Sequence, residues 1–153
     1  MASRLIEKII LHCSASPNGR PQTVQDIDAW HRTAGYHRSN PIINPDLKSI
    51  GYHYVIYIDG TVHTGRGVEE IGAHAADHNH DSIGICMIGT DKFTREQWLS
   101  VSELVHILSK AYPAAEVMGH RDLPDVRKIC PGFNAITWFY SGMGPLEGHC
   151  LER

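Results

Sequence analysis

Two short, uninterrupted apolar runs constrain this chain more than any other feature: Ile9-Ile10-Leu11, and Ile83-Gly84-Ile85-Cys86-Met87-Ile88. Runs of this kind fit strands buried on both faces of a sheet that other elements cover. The first reads as a strand over residues 6–12 that His12 terminates. The second reads as a strand over residues 83–88.

Helical patterns stand between and after them. Thr23 with Asp26 makes a near capping box, Val24, Ile27 and Trp30 fall on one helical face, and Gly35 supplies a left-handed stop. A longer helix is capped by Thr94 with Gln97, stapled by Phe93 against Trp98, and striped by Val101, Leu104, Val105, Leu108, Ala111 and Tyr112 until Pro113 ends it. Glu116 to Met118 reads as a last strand, and Asn134 as the cap of a short helix over residues 135–140. Residues 52–58 alternate with aromatic and β-branched side chains, and Asp59-Gly60 precedes Thr61 to Thr64, which predicts a hairpin closed by a type I′ turn. Alternation sets Tyr52, Tyr54, Ile56 and Ile58 on one face and His53, Val55 and Tyr57 on the other. Loops fill residues 14–21, 36–49 and 65–82. The fold class expected is α/β: a single domain, residues 1–140, with a central mixed β-sheet flanked by helices, followed by a flexible Gly-rich tail at residues 141–153.

At 153 residues, 42% hydrophobic and 20% charged, the chain is long enough to bury a core as one folded domain. A net charge of −3 offers no basic field for phosphate attraction, so no nucleic-acid partner is expected. No run approaches the roughly 20 apolar residues of a membrane span. Residues 1–8 lack the apolar core of a signal peptide, so cytoplasmic synthesis without an export signal is expected. Cys13, Cys86, Cys130 and Cys150 are irregularly spaced and form no CxxC pair, so reduced thiols are expected. The 11 histidines favour metal or acid/base chemistry.

The segment Gly119-His120-Arg121-Asp122-Leu123-Pro124-Asp125-Val126-Arg127-Lys128-Ile129-Cys130-Pro131-Gly132-Phe133 gathers the chemistry-bearing residues. His12 and His120 both stand where a strand ends, and open α/β sheets bind ligands beyond the carboxyl ends of their strands. If the first and last strands are neighbours, the two imidazoles meet, and Cys130 can fold back as a third ligand. Two imidazoles and a thiolate suit zinc, and three protein ligands leave a tetrahedral corner for water. The same three residues also admit a plainer reading, as core or loop histidines and an inert buried thiol. His31 and His53 read as packing histidines, Cys13 and Cys86 as small buried hydrophobes, and His78, His80 and His149 as solvated.

The ordered set Leu11-His12-Cys13-Ser14-Ala15, Trp30-His31, Gly51-Tyr52-His53-Tyr54, Asp59-Gly60-Thr61-Val62, Gly65-Arg66, Gly72-Ala73-His74-Ala75, Asn79 through Cys86, and Lys128-Ile129-Cys130-Pro131-Gly132-Phe133 resembles the N-acetylmuramoyl-L-alanine amidases. Within the type-2 amidase and peptidoglycan recognition protein superfamily, the likeness is to the phage-lysozyme-like branch. Residues 141–153 fall outside it. The resemblance implies zinc, one ion per chain, held by His12, His120 and Cys130, with Tyr52 and Lys128 as catalytic residues and His74 lining the substrate groove. It implies hydrolysis of the amide between N-acetylmuramic acid and L-alanine in peptidoglycan or a muropeptide, by a monomer acting on the bacterial cell wall. Two rival readings are a peptidoglycan-binding module without hydrolysis, whose members characteristically lose the cysteine that Cys130 represents, and a wall peptidase using the thiol of Cys130 or Cys13 with a histidine.

Overall fold

The computed structural model describes residues 4–124 and 126–152. Met1-Ala2-Ser3 of the leader reading, Asp125 of the 119–133 segment and Arg153 of the tail lie outside the described residues. Five strands, β1 (Lys8–Cys13), β2 (Tyr54–Ile56), β3 (Val62–Thr64), β4 (Ser82–Met87) and β5 (Glu116–Gly119), accompany three helices, α1 (Val24–Ala34), α2 (Arg95–Ala111) and α3 (Ala135–Tyr140). They form one mixed sheet in the order β3-β2-β4-β1-β5, parallel throughout except for the antiparallel β2–β3 hairpin. The expected α/β class is the observed one.

Both apolar runs occupy the middle of that sheet, which explains why they do not alternate. On one face Ile9, Leu11, Ile83, Ile85 and Met87 meet Trp98, Val101, Val105 and Leu108 of α2 and Trp138 of α3. On the other, Val24 and Ile27 of α1 pack on Val55, Cys86 and Ile88, and Ile10 packs on Ala75, Met118 and Leu123. His12, two residues after Ile10, shares this second face. It is the face on which the chemistry is built.

The capping residues act as expected. Thr23 and Asp26 exchange both capping-box hydrogen bonds, as do Thr94 and Gln97, and Asn134 caps α3 through the Thr137 N–H. Gly35 closes α1 at φ +87°. Phe93 and Trp98 pack edge to face with ring centroids 5.7 Å apart.

Four expectations need correction. Trp30 is 42% exposed, because the inward stripe of α1 runs through Val24, Ile27, Asp28 and His31. The turn after β2 is not type I′: Gly60 N–H donates to Tyr57 O at 2.9 Å, Tyr57 N–H donates to Thr61 O at 2.9 Å, and Gly60 takes φ +87° while Asp59 keeps a negative φ. That is a three-residue loop with a type I turn and a left-handed glycine. Tyr52 lies before the β2 ladder begins, so alternation does not reach it, and it packs with Val55 and Cys86 rather than with Ile56. The tail is docked rather than loose. Phe93 N–H donates to His149 O at 2.9 Å and Leu151 N–H to Phe93 O at 2.8 Å, the Trp98 indole donates to His149 O at 3.1 Å, and Met143 and Leu146 pack against the α2 core. Its apolar residues outweigh its glycines. No helix of the described residues is long and apolar enough to cross a membrane.

Candidate metal centre and active site

The last register pair between the neighbouring parallel strands β1 and β5 is Leu11 and Gly119. His12 and His120 therefore leave the sheet side by side, and their ring centroids are 4.6 Å apart. His120 opens a 3₁₀ turn whose start is held by Gly119 N–H donating to Asp122 Oδ2 at 2.8 Å. The chain then loops back, and Arg121 N–H donates to Cys130 O at 2.8 Å. A Cβ on Gly119 would stand 2.8 Å from Pro131 Cδ, so a glycine at the end of β5 lets this return segment lie against the strand.

The Cys130 thiol lands beside β1. Cys13 N–H donates to Cys130 Sγ at 3.2 Å, and His12 Nδ1 is 3.9 Å from the same sulfur. One donor atom each from His12, His120 and Cys130 lie within 4.8 Å of one another. Around a tetrahedral zinc, with bonds of about 2.0–2.1 Å to nitrogen and 2.3 Å to sulfur, the N···S edge is roughly 3.5 Å. The His12–Cys130 edge reaches this by closing a few tenths of an ångström and the widest of the three edges by roughly 1 Å, so these residues fit that ion after a modest inward movement.

The electrostatics suit neutral nitrogen ligands. Burial first, then the charges of His120, His31 and Lys128, hold His12 well below the usual imidazole range. Burial and the neighbouring Lys128 and His78 lower His120. Both are unprotonated at neutral pH, as metal ligation requires. The hydrogen bond with Cys13, followed by burial, pushes the Cys130 thiol up; a divalent cation reverses that balance by stabilising the thiolate.

Tyr52 approaches from the α1 side. Asp28 Oδ1 accepts from Ser49 N–H at 2.7 Å and Ile50 N–H at 2.8 Å, and His31 Nδ1 accepts from Gly51 N–H at 2.8 Å. These three bonds fix the backbone entering Tyr52, whose ring centroid is 5.0 Å from that of His12. Burial, then the nearby Cys86, Cys130 and Cys13 thiols, raise the phenol well above its ordinary value, so Tyr52 is a neutral O–H donor at physiological pH. Lys128 is exposed and borders a cleft of about 530 Å³ together with His120, His74, Tyr36, Asn79 and Arg127. His74 lines that cleft, yet both its ring nitrogens have protein partners, His12 Nε2 at 2.8 Å and Ser82 Oγ at 3.1 Å.

All six residues singled out from sequence thus fall around one centre. The packing histidines are as read: His31 and His53 both accept backbone N–H groups, from Gly51 and Gly84. Sequence reasoning missed Cys13 as a neighbour of the Cys130 sulfur, Asp28 as the anchor of residues 49–50, and Tyr36 and Arg127 as cleft walls. It also missed His149, whose Nδ1 donates to Asp91 O at 2.7 Å.

A mixed α/β sheet that brings a His, His, Cys cluster together at the ends of two parallel strands presents three donors that could hold a metal ion, and comparison with known proteins supplies the family. A sequence model of the N-acetylmuramoyl-L-alanine amidase family matches residues 2–133, and the chain belongs to that family. The endolysin of Escherichia phage T7 is 33% identical over 141 residues, 87% of this chain and 85% of its own length. Among solved structures, the amidase LysC from Clostridium intestinale superposes with a TM-score of 0.73 at 27% identity, covering 90% of this chain and 87% of that one. Drosophila PGRP-LB superposes at 0.70 with 26% identity, over 99% of this chain and 88% of its own, and a variant of it has been solved in complex with tracheal cytotoxin.

Proposed function

We propose that this chain is a zinc-dependent amidase of the bacterial cell wall, cutting the amide between the lactyl group of N-acetylmuramic acid and L-alanine in peptidoglycan or its muropeptides. The observation that carries the reading is the convergence of His12, His120 and Cys130 donor atoms within 4.8 Å, beside a cleft that His120 and Lys128 both border. Family membership supports the bond class, and the phage endolysins among its relatives support the wall as the site of action.

When bound, zinc supplies a Lewis acid for the scissile carbonyl and brings the pKa of a water toward about 7. The chain's own residues do the rest. His12 and His120 are kept neutral by burial and so hold the ion without first losing protons. The Lys128 ammonium, on the exposed wall of the cleft, stabilises negative charge developing on the carbonyl oxygen; donors in that role are worth on the order of 10²–10³ in rate. Tyr52 remains a protonated phenol, so its Oη acts as hydrogen-bond donor to the reacting centre and helps deliver a proton to the departing amine. The rest of the cleft holds the stem peptide.

Mass spectrometry of purified muropeptides after digestion, with and without a chelator, tests this reading. The expected products are stem peptides with a free L-alanine amine and glycans ending in a free lactyl carboxylate, lost with chelator and restored by zinc. Cleavage within the peptide or the glycan would overturn the bond assignment, and chelator-insensitive cleavage would transfer the chemistry to a thiol.

A further inference from the structure

His74 is held from every side. Its backbone N–H and that of Ala75 both donate to Asn79 Oδ1, at 2.9 and 2.8 Å. Its ring occupies a slot left by two glycines: a Cβ on Gly84 would stand 2.6 Å from the His74 Cγ, and one on Gly72 would stand 2.7 Å from its Cδ2. Nδ1 lies 2.8 Å from His12 Nε2, and Nε2 lies 3.1 Å from Ser82 Oγ. The Ser82 side chain is fully buried.

Hydrogen positions follow from which nitrogen must stay free. His12 Nδ1 faces the Cys130 sulfur at 3.9 Å, so that nitrogen carries the lone pair offered to a metal, and the His12 hydrogen sits on Nε2. The Nε2–H must then donate to His74 Nδ1. This leaves the His74 hydrogen on its own Nε2, where Ser82 Oγ accepts it. With His12 Nδ1 kept free as a ligand, this is the one arrangement of hydrogens that satisfies all three groups; the reverse arrangement would put the His12 hydrogen on Nδ1, facing the sulfur.

We infer that His74 is a positioning residue that fixes the tautomer and ring orientation of His12, with Ser82 fixing His74 in turn. An imidazole does here what a carboxylate or a carbonyl does behind many metal-bound histidines. His74 borders the cleft, but neither of its ring nitrogens is free for a substrate hydrogen bond unless His12 gives up its partner. The inference rests on the amidase reading only in taking His12 as a ligand.

Two measurements on the folded chain test it. The first is the ¹⁵N histidine spectrum of metal-free protein, which reports the His12 tautomer; the second is zinc affinity by chelator competition. Wild type is expected to show His12 protonated at Nε2. His74→Phe fills the slot but removes the acceptor, so His12 should populate both tautomers and zinc affinity should fall roughly 10–100-fold, the range for losing an outer partner of a ligand. His74→Asn, whose Oδ1 reaches about where Nδ1 stood, should recover most of the loss. Ser82→Ala, which leaves the ring in place, should give a smaller loss and serves if the Phe variant fails to fold. Wild-type zinc affinity and an unchanged tautomer in His74→Phe would overturn the inference, as would a variant altered only in KM for muropeptide. If wild type binds no zinc, the amidase reading falls, and the tautomer spectrum alone decides the role of His74.

Discussion

His12 and His120 emerge from adjacent parallel strands one residue beyond the same register pair, and their rings close to 4.6 Å between centroids. Residues far apart along the chain become neighbours through the β1–β5 ladder, and Cys130 completes the set on a loop tied back by the Arg121 N–H.

Cys130→Ser removes the one sulfur donor while keeping nearly the same volume. Zinc affinity should drop by more than the roughly 100-fold seen for loss of an outer-sphere partner, and stem-peptide release should stop, while sedimentation with purified cell walls persists. Metal analysis after dialysis and muropeptide mass spectrometry check both halves. Wild-type release by this variant would refute the ligand assignment.

Lys128→Ala should leave zinc content and folding unchanged, since the side chain is exposed and donates no ligand. The kcat should fall on the order of 10²–10³ with little change in KM. Undiminished turnover in zinc-loaded variant would remove Lys128 from the mechanism.

Stability should depend on pH through buried histidines that are not candidate metal ligands. His53 is fully buried, accepts the Gly84 N–H and donates to Glu70 O, and burial lowers it to about 4. Burial, then Arg66, lowers His31 to about 4 as well. Unfolded histidines take up protons below about pH 6.5, whereas these two do not until the pH nears 4, so the unfolded state binds more protons in that window. Stability is therefore fully present above 6.5 and is lost as the pH falls toward 4, with about 3 kcal/mol from His53 alone. Urea midpoints of metal-free protein at pH 7.5, 6 and 5 should decline in that order; a flat series would contradict the assignment.

Truncation after Met143 should destabilise the domain. It removes the His149 carbonyl that accepts from Phe93 N–H and the Trp98 indole, and buried donors left without partners cost about 1–3 kcal/mol each. Chemical denaturation of the shortened chain should show a lower midpoint, with the largest change in Trp98 fluorescence.

Gly84→Ala puts a methyl 2.6–2.8 Å from three atoms of the His74 ring. Overpacking of this kind typically costs about 1–3 kcal/mol, and displacing the ring should also weaken zinc binding. A crystal structure of the variant with His74 unmoved and wild-type affinity would argue that the slot is wider than its atoms suggest.

How much of this could be read from the chain alone depended on whether the signal was local. Caps at Thr23, Thr94 and Asn134 were legible because a capping residue bonds within its own turn. His12 and His120 were legible as a pair because each stands within one residue of a strand's carboxyl end, although their meeting depended on strand order. Asp28 was not, because hydrophobic periodicity looks for apolar residues on the inward stripe, and α1 spends that position on gripping the backbone at Ser49 and Ile50. The hairpin turn was misread because Asp-Gly serves both a two-residue and a three-residue loop. The docking of the tail and the contact of Cys13 with Cys130 involve partners distant in sequence, which no short pattern encodes.

The β1–β5 ladder has one more implication, for how the enzyme would acquire its ion. Because one donor rides on the interior strand β1 and the second follows directly on the edge strand β5 paired to it, the apo chain is already shaped like the holo one, and capture requires adjustment mainly of the arm carrying the thiol. Stripping and reloading should then be reversible at constant far-UV circular dichroism, unlike small zinc domains that collapse without their ion.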